Sequence, residues 1–238
     1  MTIRHGIVLA GWLFTATVMG QQTWHVATTG SDADTGVDWA HAWASISNAV
    51  VQAAANDTIL VSNGTYTVTS NILVDKAVTI SGYPPNTNTI VTRTGATTNR
   101  IFRIAHDSAV VEYLTITNGN NSVSEPGGWP LGGGGAINMS GGTLRNCLIE
   151  KNKFMVWGYG GAMHLSGNST VSNCVIRGNT LEQTAYGAGI AIYDNGANVR
   201  VVDCAISNNG GGTAYGGGIN MQNGTIERSH REDEEKFY

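Results

Sequence analysis

Three sets of residues in this chain are of types that do chemistry. Asp32, Asp34 and Asp38 follow the spacing D-x-D-x-G-x-D around Gly36, so their carboxylates could converge on one hard cation such as calcium. The distal bidentate Glu of an EF-hand is missing, and Asp and Gly are ordinary turn residues, so a plain turn is the competing reading. The three cysteines, Cys147, Cys174 and Cys204, lie 27 and 30 residues apart. No C-x-x-C or Cys/His spacing that would hold zinc accompanies them. Paired carboxylates are the third kind of chemistry to look for, because lyases and hydrolases need them clustered. Here Glu112, Glu125, Glu150, Glu182, Asp194 and Asp203 are scattered. No catalytic constellation emerges.

Aromatic residues make a more regular pattern. Trp129, Phe154, Trp157, Tyr159, Tyr186 and Tyr215 lie in stretches rich in polar residues or Gly, and each of the three tyrosines directly precedes a Gly. Aromatic faces suit the apolar faces of sugars, so Trp129, Trp157, Tyr159, Tyr186 and Tyr215 are candidates for glycan contact. The alternative for these rings, Trp129 and Trp157 included, is that they stack on one another or pack on the outside of the coils.

What positions these residues is a repeat. GGAINMSGGTLRNCLIEKN is followed by GGAMHLSGNSTVSNCVIRGN, by GAGIAIYDNGANVRVVDCAISNN and by GGGINMQNGTI. One apolar column runs through Ile137, Met163, Ile190 and Ile219, and a second through Met139, Leu165, Ile192 and Met221. Each Cys is followed two residues later by Ile149, Ile176 or Ile206, and then by Asn152, Asn179 or Asn209. A period of 26 to 33 residues marks a solenoid. Within each unit apolar residues alternate with polar or small ones, which is the period of a strand with one buried face. Short strands repeated once per coil bury that face by stacking, so the expected fold is all-β, a parallel β-helix with strands about 4.8 Å apart.

In that frame the cysteines are inward and stack as buried thiols, with a disulfide between neighbouring rungs as the alternative. The Asn column is structural, its amides hydrogen-bonding along the axis. Glu150 aligns with Arg177 and Ser207, a surface pair on adjacent coils. His164 falls at an outward, solvated position beside Asn138 and Asn220. The aromatic stretches recur at one point of the repeat, so they leave from one side, where loops on a rigid scaffold bind.

Residues 1–20 resemble a signal peptide, with Arg4 and His5 before the apolar stretch Gly6 to Val18. An uncleaved anchor is the alternative. Residues 21–57 give a first strand, Thr23 to Thr28, and an amphipathic helix from Trp43 to Ala55 that caps the solenoid. Residues 58–229 form the β-helix. The last residues, 230–238, are a charged tail, and Ser229 stands where the repeat calls for Cys. Either the chain is truncated or frame-shifted there, or the charges block an open edge through which copies could self-associate. A formal charge of -4 without a basic stripe excludes nucleic acid as an expected partner. With 41% hydrophobic residues and 32 Gly, the composition fits a turn-rich solenoid better than disorder.

The leader, VATTGSDADTG, the Ala-rich helix and DTILVSNGTYT together resemble the start of bacterial right-handed parallel β-helix proteins of the pectin-lyase-like superfamily. The coils GGGGAI…LRNCLIEKN and GYGGAM…VSNCVIRGN look like the Gly-rich repeats of polymorphic outer-membrane and autotransporter-like surface proteins. The resemblance covers residues 24 to 229. It implies an exported surface or extracellular scaffold for adhesion or glycan contact, with no catalytic residues. The rival it implies is a polysaccharide lyase or glycoside hydrolase, with calcium as a possible cofactor and a site incomplete in this chain.

Overall fold

A computed structural model of the chain describes residues 20–83, 88–95, 99–122, 133–193, 198–212 and 214–231. Residues 1–19, Trp129 and the residues after Arg231 lie outside them. The chain winds as a parallel β-helix, and each turn contributes a short strand to each of three faces.

The first face stacks Thr23–Val26, Thr58–Val61, Thr79–Gly82 and Val110–Glu112, and continues to Thr225–Glu227. The second is a seven-stranded sheet running from Gly64–Val68 to His230–Arg231. The third runs from Ile72–Val74 through Phe102–Ile104 to Ile219–Met221. Strands Ile137–Arg145 and Met163–Ser172 bend to serve both the third face and the first of the next turn. The register pairs Ile137 with Met163, Met163 with Ile190 and Ile190 with Ile219, the column that the repeat predicts.

The alternation explains the interior. Ile59, Ile80, Val111, Leu144, Val171 and Val201 fill the core from the first face, and Val91, Ile116, Ile149, Ile176 and Ile206 from the second. Each such aliphatic side chain, fully withdrawn from water, contributes about 1.5–3 kcal/mol before entropy is counted. Cys147, Cys174 and Cys204 are buried free thiols at the corner between the two faces. Each donates to the carbonyl two residues back, at 3.2 to 3.3 Å. Burial and the thiol beneath push Cys174 well up, so it stays protonated. Ser229 takes the next place in this column and its hydroxyl accepts from the Cys204 amide.

From Tyr113 onward that corner takes a left-handed backbone in each turn, at Tyr113, Asn146, Asn173, Asp203 and Arg228, with φ between 45 and 56°. Asn and Asp tolerate this conformation best among residues with a side chain, which accounts for three of the five.

The cap is shorter than the predicted span. Helix α1 covers Ile46–Gln52 and buries Ile46, Ala49 and Val50. Trp43 is not helical: it bridges Val26 in parallel and stacks on Trp24 at 5.1 Å. Ser45 caps the helix N-terminus, and the Lys76 ammonium donates to the Val51 and Ala53 carbonyls at its other end. Below it, buried Asp57 accepts from the Trp24 indole and from the Gln22 and Ala54 amides. Burial alone would raise this carboxyl. Those three donors and the Lys76 charge outweigh it and hold Asp57 below the ordinary aspartate value. At the opposite end Ile219 and Ile226 are only partly buried and Met221 is exposed.

Candidate functional site

The site begins with the Asn column. After each strand of the second face the chain must leave the core, and Asn152, Asn179 and Asn209 are buried at that point. The Asn179 Oδ1 accepts from both the backbone N and the side-chain Nδ2 of Asn152, each at 3.0 Å. Asn209 does the same for Asn179, at 3.1 and 2.8 Å. Their amide nitrogens donate to Ile116, Ile149 and Ile176 of the preceding turn. Every exit is thereby locked to the next, as the stacked-amide expectation requires.

Past the column, the stretches expected as loops form a lateral ridge of paired strands. Asn120–Asn121, Lys153–Phe154 and Thr180–Leu181 pair in parallel, and Ala185–Tyr186 pairs with Ala214–Tyr215. The ridge has a small core of its own in Phe154, Leu181, Ala185 and Ala188, with Val156 and Ala214 packed against it. It returns to the third face through Gly160 (φ 77°) and Gly187 (φ 65°), where a Cβ would lie 2.0 Å from the Met163 carbonyl oxygen and 2.1 Å from that of Ile190. Only Gly makes that turn. The adjacent backbones are in register, Gly160 N donating to Tyr186 O and Gly187 N to Tyr215 O. The tyrosine before each Gly therefore falls directly over the next.

The rings do stack. Tyr159 and Tyr186 have centroids 5.4 Å apart at 21°, and Tyr186 and Tyr215 are 5.2 Å apart at 23°. Tyr193, which the repeat gave no reason to single out, lies closer still to Tyr159, at 4.3 Å and 27°. Tyr159 is only 2% exposed, and burial together with Tyr193 and Tyr186 pushes its phenol well up. It has no face left for a sugar. Tyr186 is half-buried between two neighbours, and Tyr215 at the end of the row is 43% exposed. Trp157 is 66% exposed on the same ridge.

His164 overturns its expected solvated position. It is 1% exposed, with its Nδ1 3.2 Å from the Asn138 amide and its ring 5.7 Å from that of Tyr159. The ridge folds back over the third face and covers residues that would otherwise point to water. Gly133 closes over it from the preceding turn, where a Cβ would come within 2.6 Å of the His164 Cβ.

The three aspartates are engaged in different ways. Asp32 accepts from the Ala44 and Ser45 amides and the Ser45 hydroxyl, at 2.7 to 3.0 Å. Asp38 caps the short 3-10 helix Trp39–His41, and the side chain and amide of His41 hold its carboxyl below the ordinary value. Asp34 contributes its backbone carbonyl, to the Trp43 indole. Among the described residues no three His, Cys, Asp or Glu side chains group as metal ligands.

Other carboxylates pair with basic residues on adjacent turns: Glu112 with Arg145 at 2.6 Å, Glu150 with Arg177 at 2.9 Å, Asp203 with Arg228 at 2.7 Å. Glu227 pairs with Arg200, and Glu182 with Lys153. Glu125 and Asp194 lie outside the described residues. No helix among the described residues is long and apolar enough to cross a membrane.

Fold and site together define a parallel β-helix carrying an aromatic ridge on one side. Over residues 35–228 the sequence matches the family model for the right-handed β-helix region, and the chain belongs to that family. No curated protein matches it. Among solved structures, a rhamnogalacturonan lyase superposes with a TM-score of 0.48 at 11% identity, over 88% of this chain. This chain spans 66% of the length of that lyase. A pectin methylesterase in complex with a hexasaccharide superposes with a TM-score of 0.41 at 10% identity, over 81% of this chain and 80% of the other. Likenesses this loose say nothing about activity.

Proposed function

We propose that this protein is an exported, non-catalytic scaffold that contacts polysaccharides or cell-surface glycans through the lateral ridge. The observation that carries the reading is the pair of exposed rings, Trp157 and Tyr215, on a ridge braced by parallel strands and a buried Asn column. An exposed aromatic ring costs free energy in water, and a rigid mount lowers the entropy lost when a ligand covers it. Tyr186 supports the row and Tyr159 anchors it. Trp129 belongs to the same reading through its place in the repeat. Export rests on the leader-like first 20 residues, and a surface location on the resemblance of the Gly-rich coils. The scaffold reading is favoured over a lyase or hydrolase because Glu112, Glu150, Glu182, Asp203 and Glu227 are engaged with Arg or Lys on neighbouring turns.

The test is co-sedimentation with a panel of insoluble plant and algal polysaccharides, with and without calcium, scoring sugar release on the same samples. Binding without release, weakened at least tenfold by the double variant Trp157→Ala/Tyr215→Ala, is expected. Release of shortened or unsaturated sugars would replace this reading with the enzymatic one. Binding unchanged in the double variant would remove the ridge from it.

A further inference from the structure

A second exposed aromatic cluster lies away from the ridge, on the outer side of the first face near the capped end. Trp39 is 42% exposed and Tyr83 is 49% exposed, although neither contributes to the core. They come from different turns of the solenoid and meet edge to face, with ring centroids 6.1 Å apart and planes at 66°. The His25 imidazole closes on Trp39 from another side, 4.6 Å away at 71°.

The mount is rigid. His25 N donates to Gly36 O, Gly36 N to His41 O and Trp43 N to His25 O, all at 2.8 to 2.9 Å. Trp39 itself sits in the 3-10 helix capped by Asp38. Asp38 Oδ1 accepts from the His41 backbone N at 2.9 Å and faces its Nδ1 at 2.8 Å, and the Ala40 backbone amide also bears on the carboxylate. The side chain is more than half exposed, which leaves room for a further donor.

We propose that Trp39, Tyr83 and Asp38 form a subsite for a neutral pyranose unit of a glycan chain. A pyranose has an apolar C–H face and a rim of hydroxyl donors. An aromatic corner receives the first, and the exposed carboxylate of Asp38, the residue before Trp39, receives the second. A uronic acid would bring its own negative charge against Asp38 and is disfavoured by like-charge repulsion. The subsite extends glycan contact to another side of the molecule and stands on different residues from the ridge.

The experiment uses the full chain labelled with 5-fluorotryptophan, with Trp39→Phe and Trp157→Phe assigning two of the fluorine resonances. The chain is titrated with the hexasaccharides of a β-1,4-glucan, of a β-1,4-mannan and of a polygalacturonate. The Trp39 resonance is expected to move with at least one neutral hexasaccharide at tenfold lower concentration than with the acidic one. Tyr83→Ala should weaken the neutral response at least tenfold while leaving the thermal midpoint unchanged. Asp38→Asn keeps the helix cap and should narrow the gap between neutral and acidic sugars, an effect that loss of structure would not produce. A Trp39 resonance that stays still with both neutral hexasaccharides overturns the subsite, as does equal response to the acidic one. If only the Trp157 resonance moves, the subsite falls and the ridge stands. If polysaccharide still sediments the chain while neither moves, both placements fall and glycan contact itself survives.

Discussion

The three-faced core and the lateral ridge are built from the same repeat by opposite means. The core stacks Ile, Val, Leu and Cys, whose attraction is non-directional, so rungs such as Leu144, Val171 and Val201 differ in size and still fill one column. The ridge hangs on directional bonds, since the exits at Asn152, Asn179 and Asn209 each pass through an amide whose oxygen serves the turn before it. Hydrophobic stacking tolerates substitution of like for like, whereas a column of buried amides tolerates nothing that cannot both donate and accept.

The sharpest way to break this contrast is Asn179→Ala. It strands the buried Asn152 amide and the Ile149 carbonyl together, and at about 1–3 kcal/mol per stranded group the expected loss is about 4 kcal/mol in urea unfolding. Phe154→Ala comes next, at about 3 kcal/mol for a buried aromatic. Its loss should be local, with amide exchange accelerating at 153–154 and 180–186 while Ile149 and Ile176 stay protected.

Asp57 supplies a polar counterpart at the capped end. Its carboxyl lies below the unfolded value, so its contribution is present above about pH 4 and disappears as pH falls through the folded value. Asp57→Asn should cost about 2 kcal/mol at pH 7, the scale of hydrogen bonds to a charged group, and should flatten the acid side of the stability profile. Within the core, Ile176→Val should cost only about 1 kcal/mol. The smallest effect is expected at Trp157→Ala, within about 0.5 kcal/mol for an exposed side chain. A larger loss there would mean that the ring supports the ridge rather than a ligand.

The same division decided what the sequence disclosed. The Ile137–Met163–Ile190–Ile219 column, the thiol column and the Asn column recur, so alignment of the repeat with itself places each in register. The Glu150–Arg177 pair was legible for the same reason. Contacts that occur once were not. His164 is buried because the ridge folds back over the third face, and nothing in the alternation of Ile190-Ala191-Ile192 announces that Tyr193 joins the tyrosine row. Trp39 and Tyr83 approach each other from unrelated turns, outside the repeat altogether. Trp43 had helical spacing, yet pairing with Val26 and stacking on Trp24 outweighed it, which shortened α1 to Ile46–Gln52. Of the ring candidates, position in the repeat gave the row but not its depth, and only depth separates the buried Tyr159 from the exposed Tyr215.

The Asn column also has a polarity. The oxygen of each amide completes the coil laid down before it, as Asn179 does for Asn152 and Asn209 for Asn179. A coil without its successor is therefore left with unmet donors. In the folded solenoid each turn is the template for the next, and the next is its fastener.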